Sequence, residues 1–300
     1  MKNTYHKPVL VKEVLEYIDP QPNGLYIDVT FGGGGHTRAI LEAEPTCKVV
    51  ACDWDKIALE TNAEKLADEF GDRVQFIWGN FAHLYKLLKK EKITNIDGIL
   101  ADFGTSQDQI FNREGFSFAI DSPLDMRMSP AHQRLTAADI VNRFSEQKLA
   151  QMFFDLGEER FSRQIARAIV QDRVQARFKT TKQLATLIER VVPAHKGRRK
   201  VHPATRVFQA LRIHVNHELE NIQAFLMGSL RLLKPGGRLV CISFHSLEDR
   251  LVKRFFQEHS SMPGREGFEL LMKKVVVAGD EEVEENPSSR SARLRAAKKS

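Results

Sequence analysis

The stretch YIDVTFGGGGHT, residues 26–37, runs from an apolar, strand-like segment through four consecutive glycines into a helical pattern. Ordered glycines cost backbone entropy and pack little, so such a run marks a place where something approaches the backbone closely. In an open α/β sheet, the turn between a strand and its helix is where ligands bind. Two phosphate-binding frames fail here. A P-loop needs GxxxxGK[ST], and no Lys-Ser or Lys-Thr follows the glycines. A dinucleotide fingerprint needs GxGxxG, and its last place falls on Thr37 or Arg38.

On either side of this turn, short apolar runs recur: LYIDVT (25–30), KVVACD (48–53), VQFIWG (74–79), IDGILADFG (96–104) and RLVCISF (238–244). They are nearly continuous in apolar residues, as strands buried on both faces of a parallel sheet are. Helical patterns follow the first three, so the spacing predicts a doubly wound α/β sheet. The rhythm then breaks between the fourth run and the fifth. Roughly 100 residues remain there beyond an ordinary crossover. They read as helices: Ser145 caps SEQKLAQMFFDLG, which Gly157 ends. Phe161, Ile165, Ala168 and Ile169 share one helical face, as do Leu184, Leu187, Ile188 and Val191. Pro203 suits the first turn of a further helix. The expected organisation is a first part over 1–106, an inserted helical domain over 107–207, and a second part over 208–300 ending in a basic tail.

Composition narrows the class. Of 300 residues, 42% are hydrophobic, enough for a sizeable core, and no run of about 18 apolar residues suggests a membrane span. The N-terminus lacks the apolar core of a signal peptide. Cys47, Cys52 and Cys241 fit no disulfide or metal spacing, no metal ligand set is visible, and a cytoplasmic location is expected. The net charge of +6 permits a polyanionic partner. Lys196, Arg198, Arg199, Lys200 and Arg206 fall in HKGRRKVHPATR (195–206) with no acid between them, and PSSRSARLRAAKKS (287–300) is also basic and acid-free. Each run is either a solvated segment or a set of phosphate contacts.

A third frame for the glycines is the S-adenosylmethionine (SAM) loop, which resembles DxGxGxG after a first strand. Asp28, Thr30, Gly32 and Gly34 fill it, with Thr at the first glycine place. Asp53, ending the second strand, suits a ribose diol; Asp55, next to the helix, is the better N-cap. Asn80 or Phe81 after the third strand could cover an adenine. Asp102 stands at the end of the fourth strand, and Ser243, His245 and Ser246 at the end of the fifth.

The chain as a whole resembles the bacterial 16S ribosomal RNA cytosine-N4 methyltransferases. HKPVLVKEVL, YIDVTFGGGGHT, DGILADFGTS, SPLDMRM, GEERFSRQIARAI, HPATRVFQALRIHVNHEL, LKPGGRLVCISFHSLEDRLVKRFF and ENPSSRSARLRA carry the likeness, in order, from about residue 6 to 296. It implies a Rossmann-like class I SAM-dependent methyltransferase fold with an inserted helical domain. It also implies N4-methylation of a cytidine in the decoding region, with 16S rRNA or the small ribosomal subunit as partner. The family's SAM contacts carry over to Gly34, Gly35, His36, Asp53, Phe81, Asp102 and Gln109. One stretch departs: the family usually reads DLGVSS where this chain reads DFGTSQ, although Gln109 keeps its place.

Cytosine N4 is a poor nucleophile because its lone pair is delocalised into the ring. A carboxylate accepting its hydrogens favours the pyramidal form and stabilises charge developing on nitrogen. Asp102 is the candidate, touching the methionine amino group of SAM, the target amine, or both. Ser243 and His245 are the second candidates, and a structural role for His245 is equally open. His36 is expected to act through its place in the loop. Arg198, Arg199, Lys200 and Arg206 are the RNA-binding candidates. Asp125 and Arg127 form a local ion pair or line the RNA site. The apolar helices of the insert could support a homodimer.

Overall fold

In the computed structural model, which describes residues 8–105, 113–193, 202–260 and 266–300, the five apolar runs are parallel strands. They are β1 (Leu25–Asp28), β2 (Lys48–Asp53), β3 (Val74–Trp78), β4 (Ile96–Asp102) and β5 (Leu233–Ser243). Two further strands, β6 (Phe268–Leu270) and β7 (Arg293–Lys299), complete a sheet of order β3-β2-β1-β4-β5-β7-β6, with β7 antiparallel to both neighbours. The chain leaves β1 in one direction through β2 and β3, and the other half of the sheet starts from β4. That reversal puts the ligand crevice of such a sheet outside the carboxyl ends of β1 and β4.

Alternate side chains on each strand explain the two buried layers. Ile27, Val50, Ile99 and Cys241 face a cluster with Leu84, Leu88, Phe225 and Phe256. Tyr26, Val49, Leu100 and Val240 face a second one with Val14, Ile18, Ile40 and Leu41. The covering helices are α1 (Val11–Ile18), α2 (Gly35–Ala43), α3 (Lys56–Phe70), α4 (Leu84–Lys90), then, late in the chain, α10 (Glu218–Leu232), α11 (Ser246–Glu258) and α12 (Asp280–Glu285). Asp55 caps α3 through the amides of Ile57 and Ala58. Cys47, Cys52 and Cys241 are free and buried. Among the described residues, no helix is long and apolar enough to cross a membrane.

The chain divides into two compact units: residues up to Gly104 together with Leu219–Ser300, and Thr105–Glu218. The second unit is helical: α5 (Ala137–Arg143), α6 (Glu146–Gly157), α7 (Ser162–Gln175), α8 (Thr181–Val191) and α9 (Thr205–Asn216). Thr136, Ser145 and Thr180 cap α5, α6 and α8. Its core gathers Ile140, Phe153, Ile165, Ile169, Leu184 and Ile188. It also takes Val207, Phe208, Ala210 and Leu211 from α9. The far boundary therefore falls at 218 rather than 207, because the face of α9 is spent inside this unit.

Three local expectations are corrected. The basic end of the chain is not a tail: β7 is an inner strand, with Leu294, Ala296 and Ala297 buried and Lys299 Nζ donating to the Leu233 carbonyl at 2.9 Å. Before β5's main run, α10 stops at Leu232 and residues 234–237 bulge out of the strand between its pairings to Ile96 and Gly98. Gly157 is the last residue of α6, and Glu158 takes the left-handed cap at φ 50°. Gly157 is needed for packing, since a Cβ there would lie 2.4 Å from the Arg206 carbonyl oxygen. Pro203 stands before α9, whose N-cap is Ala204.

Candidate active site

The strand ends and the glycine turn meet in the first unit. β1 ends in Asp28, whose carboxylate is buried and accepts from the Thr30 amide (3.1 Å) and the Thr37 hydroxyl (2.7 Å). The chain then turns through Gly32 (φ 50°) and Gly34 (φ 76°), a backbone region that L side chains rarely enter. Gly35 opens α2 and packs on Pro8, whose Cγ would lie 2.7 Å from an added Cβ. The glycines are thus divided between turning the chain and letting a neighbour approach.

Two residues tie the turn down. Asp53, at the end of β2, accepts the Gly32 amide on one oxygen (2.7 Å) and the Asp55 amide on the other (2.8 Å). Asn62 of α3 donates to the Gly32 carbonyl at 3.1 Å. Burial pushes the Asp53 carboxyl up to about 7, against the two amide bonds that favour its charged form.

Asp102 closes β4 beside this turn. Its amide donates to Thr30 Oγ1 at 2.7 Å, linking the ends of β1 and β4. Its Oδ2 lies 3.8 Å from His36 Nδ1, while Oδ1 is buried and has no hydrogen-bonding partner among the described residues. Burial pushes this carboxyl up to about 7 as well, with His36 opposing the rise and the charges of Asp28 and Glu248 adding to it. His36 is itself buried, and its Nε2 sits 2.8 Å from the Val9 carbonyl. A carbonyl only accepts, so Nε2 carries the proton.

β5 runs beside β4, and Phe103 donates its amide to Ile242. Ser243 is buried at the end of β5, and His245 is the N-cap of α11. Glu248, fully buried in that helix, accepts the Phe244 amide (2.8 Å) and the His245 amide (3.3 Å). The His245 ring lies 3.2 Å from the same carboxylate, which favours a structural share in its role. The Phe81 ring, just after the end of β3, packs on Phe103 and Phe225 with centroids 5.9 and 5.7 Å away. Asn80 caps the turn over Phe81–His83 by accepting the Ala82 amide.

The structure therefore gathers Gly34, Gly35, His36, Asp53, Asp102, Ser243 and His245 at the carboxyl ends of β1, β2, β4 and β5. Gln109, Arg198, Arg199 and Lys200 lie outside the described residues. Arg206 is exposed in α9 and donates to the Glu158 carbonyl at 3.0 Å. Asp125 and Arg127 form a two-pronged ion pair, both bonds at 2.7 Å. Three contributors had no signal as contacts in the sequence: the Thr30 hydroxyl, Asn62 and Glu248. Only Thr30 was marked, by standing where the SAM loop usually has glycine.

A nucleoside with a charged amino-acid arm fits these groups. Asp53 keeps acceptor capacity at the crevice after its two amide bonds, the turn offers backbone without side chains, and Asp102 leaves one oxygen free. Comparisons with known proteins agree in kind. The chain is 46% identical over 311 residues to Ribosomal RNA small subunit methyltransferase H of Bradyrhizobium diazoefficiens, covering 100% of this chain and 93% of that one. It is 45% identical to the protein of the same name from Carboxydothermus hydrogenoformans (98% and 97% covered) and 47% to that from Syntrophotalea carbinolica (97% and 96%). Among solved structures, SMU.1697c, a putative methyltransferase from Streptococcus mutans in complex with SAH, is a distant likeness: 12% identity, 97% and 95% covered, TM-score 0.44. The model of the MraW methylase family matches residues 3–300, and the chain belongs to that family.

Proposed function

We propose that the chain transfers the methyl group of SAM to the exocyclic N4 of a cytidine in the decoding region of 16S ribosomal RNA. The observation that carries this reading is Asp102: a buried carboxyl at the sheet's switch point, one oxygen facing His36 and the other unpartnered. A buried acceptor left open costs stability unless a ligand uses it.

When bound, SAM supplies a methyl already activated by its sulfonium, so the protein's work is placement and charge stabilisation. Asp53 accepts the ribose hydroxyls. The Gly32–Gly35 turn lets the amino-acid arm lie against the backbone. Asp102 Oδ1 accepts an N4 hydrogen of the cytosine and favours the positive charge developing on that nitrogen. Ser243 and His245 line the cytosine side from the end of β5. A base in folded RNA must be turned outward to reach such a crevice. The helical unit, with Arg206 exposed and the basic run at 195–206, is the proposed holder of the surrounding phosphates.

The relatives' shared name, that of a methyltransferase of small-subunit ribosomal RNA, supports the substrate class. A radiolabelled-methyl assay on small subunits, free 16S RNA and DNA tests the reading. Label is expected in the RNA as N4-methylcytidine. Label in DNA alone, or in none of the three, overturns it.

A further inference from the structure

The segment Pro8–Leu10 lies on the end of the glycine turn. Pro8 fills the space that Gly35 leaves, and Val9 offers its carbonyl to His36 Nε2. Leu10 follows at φ 53°, ψ 35°, the left-handed region that a leucine seldom occupies. Its amide donates to Glu282 Oε1 at 2.7 Å, across 272 residues of sequence. Glu282 belongs to α12, which is fixed to the sheet on both sides. Val276 pairs with Leu294 of β7 before it, and the Asn286–Ala292 turn leads into β7 after it. The Leu10–Glu282 bond ties the left-handed residue to α12 through an acceptor placed at the right distance.

We propose that Glu282 is a positioning residue for the cofactor loop: by holding Leu10 left-handed it keeps the Val9 carbonyl on His36 Nε2, and so turns His36 Nδ1 toward Asp102. The activity side of this proposal rests on the function given above. The relay itself rests on the contacts alone. The ionisable groups that act on the His36–Asp102 pair from the neighbouring elements are Asp28 of β1 and Glu248 of α11.

The ring nitrogens of His36, assigned by difference with a His36→Gln variant, report the relay by ¹⁵N NMR, and titration calorimetry gives SAM affinity. Wild type is expected to show the Nε2–H form. Glu282→Ala should give mixed tautomers and SAM binding weaker by about tenfold or more, since small misplacements are costly in such sites. Glu282→Asp keeps the charge, shortens the reach and should resemble the alanine variant. Glu282→Gln keeps an acceptor at the right distance and should stay within about threefold of wild type. Two results overturn the proposal: a folded Glu282→Ala protein with wild-type His36 signals and SAM affinity, or a Glu282→Gln protein as impaired as the alanine variant. Neither readout needs a methyl acceptor. Failure of methyl transfer in the wild type would therefore overturn the proposed function while leaving the relay standing.

Discussion

The ends of β2 and β4 carry the same chemical group in opposite conditions. Asp53 and Asp102 are both pushed up to about 7 by burial. Asp53 accepts a backbone amide on each oxygen, holding the glycine turn in shape. Asp102 receives its support through its own amide, from Thr30, and leaves a carboxylate oxygen open. One carboxyl builds the site and the other is left available to whatever enters it. The difference teaches that burial by itself does not separate the two carboxyls; the unspent acceptor does.

Asp102→Ala should break the comparison most sharply. Single-turnover methyl transfer is expected to fall by about 10²- to 10³-fold, the usual effect of removing one group that stabilises developing charge. Turnover at the wild-type rate would remove Asp102 from the reaction. Asp53→Ala should act on binding: losing the anchor of Gly32 and the ribose acceptor together is expected to weaken SAM by about 30-fold, or about 2 kcal/mol. Calorimetry checks this, and turnover at saturating SAM should change far less than in the Asp102 variant.

Acidity gives a third, smaller test. Both carboxyls titrate above the ordinary value near 3.9, so between about pH 4 and 7 the folded chain holds protons that the unfolded chain has released. Their contribution to stability is present below the unfolded value and is lost as pH rises through about 7. Denaturant midpoints should therefore decline over that window, less steeply in Asp53→Asn and Asp102→Asn proteins. On the proposed reading, in which ionised Asp53 accepts the ribose hydroxyls, SAM affinity should rise about tenfold from pH 6 to 8 and lose most of that slope in Asp53→Asn. The mildest expected effect belongs to Thr30→Val, which leaves the Asp102 amide without its acceptor. About 1–3 kcal/mol of stability should be lost in chemical unfolding, with a severalfold drop in turnover.

How far the sequence could be read follows from which forces leave a period in it. The β1–β5 strands were legible because strands buried on both faces are continuously apolar. The insertion was legible because the interval between β4 and β5 was too long for one crossover. β7 was not: RLRAAKK is rich in basic residues, and Lys299 is buried with its tip on the Leu233 carbonyl. At the site, Asp53 and Asp102 were legible from their places at strand ends, and His36 through the family resemblance. Thr30, Asn62 and Glu282 act through hydrogen bonds between distant segments, such as the 72 residues separating Thr30 from Asp102, and such pairings leave no local pattern.

The long interval between β4 and β5 also bears on how the protein is made. At roughly 5–20 residues per second, a ribosome releases β1 to β4 many seconds before β5 emerges. The contiguous helical unit, Thr105–Glu218, can fold during that wait because its core draws on nothing later. The edge of β4 cannot be paired in its native way until Leu233–Ser243 arrives. A half-made sheet with an unpaired apolar edge is a target for chaperones and for misassociation. Nascent chains stalled before β5 should therefore yield a protease-resistant helical fragment attached to a protease-sensitive amino-terminal half.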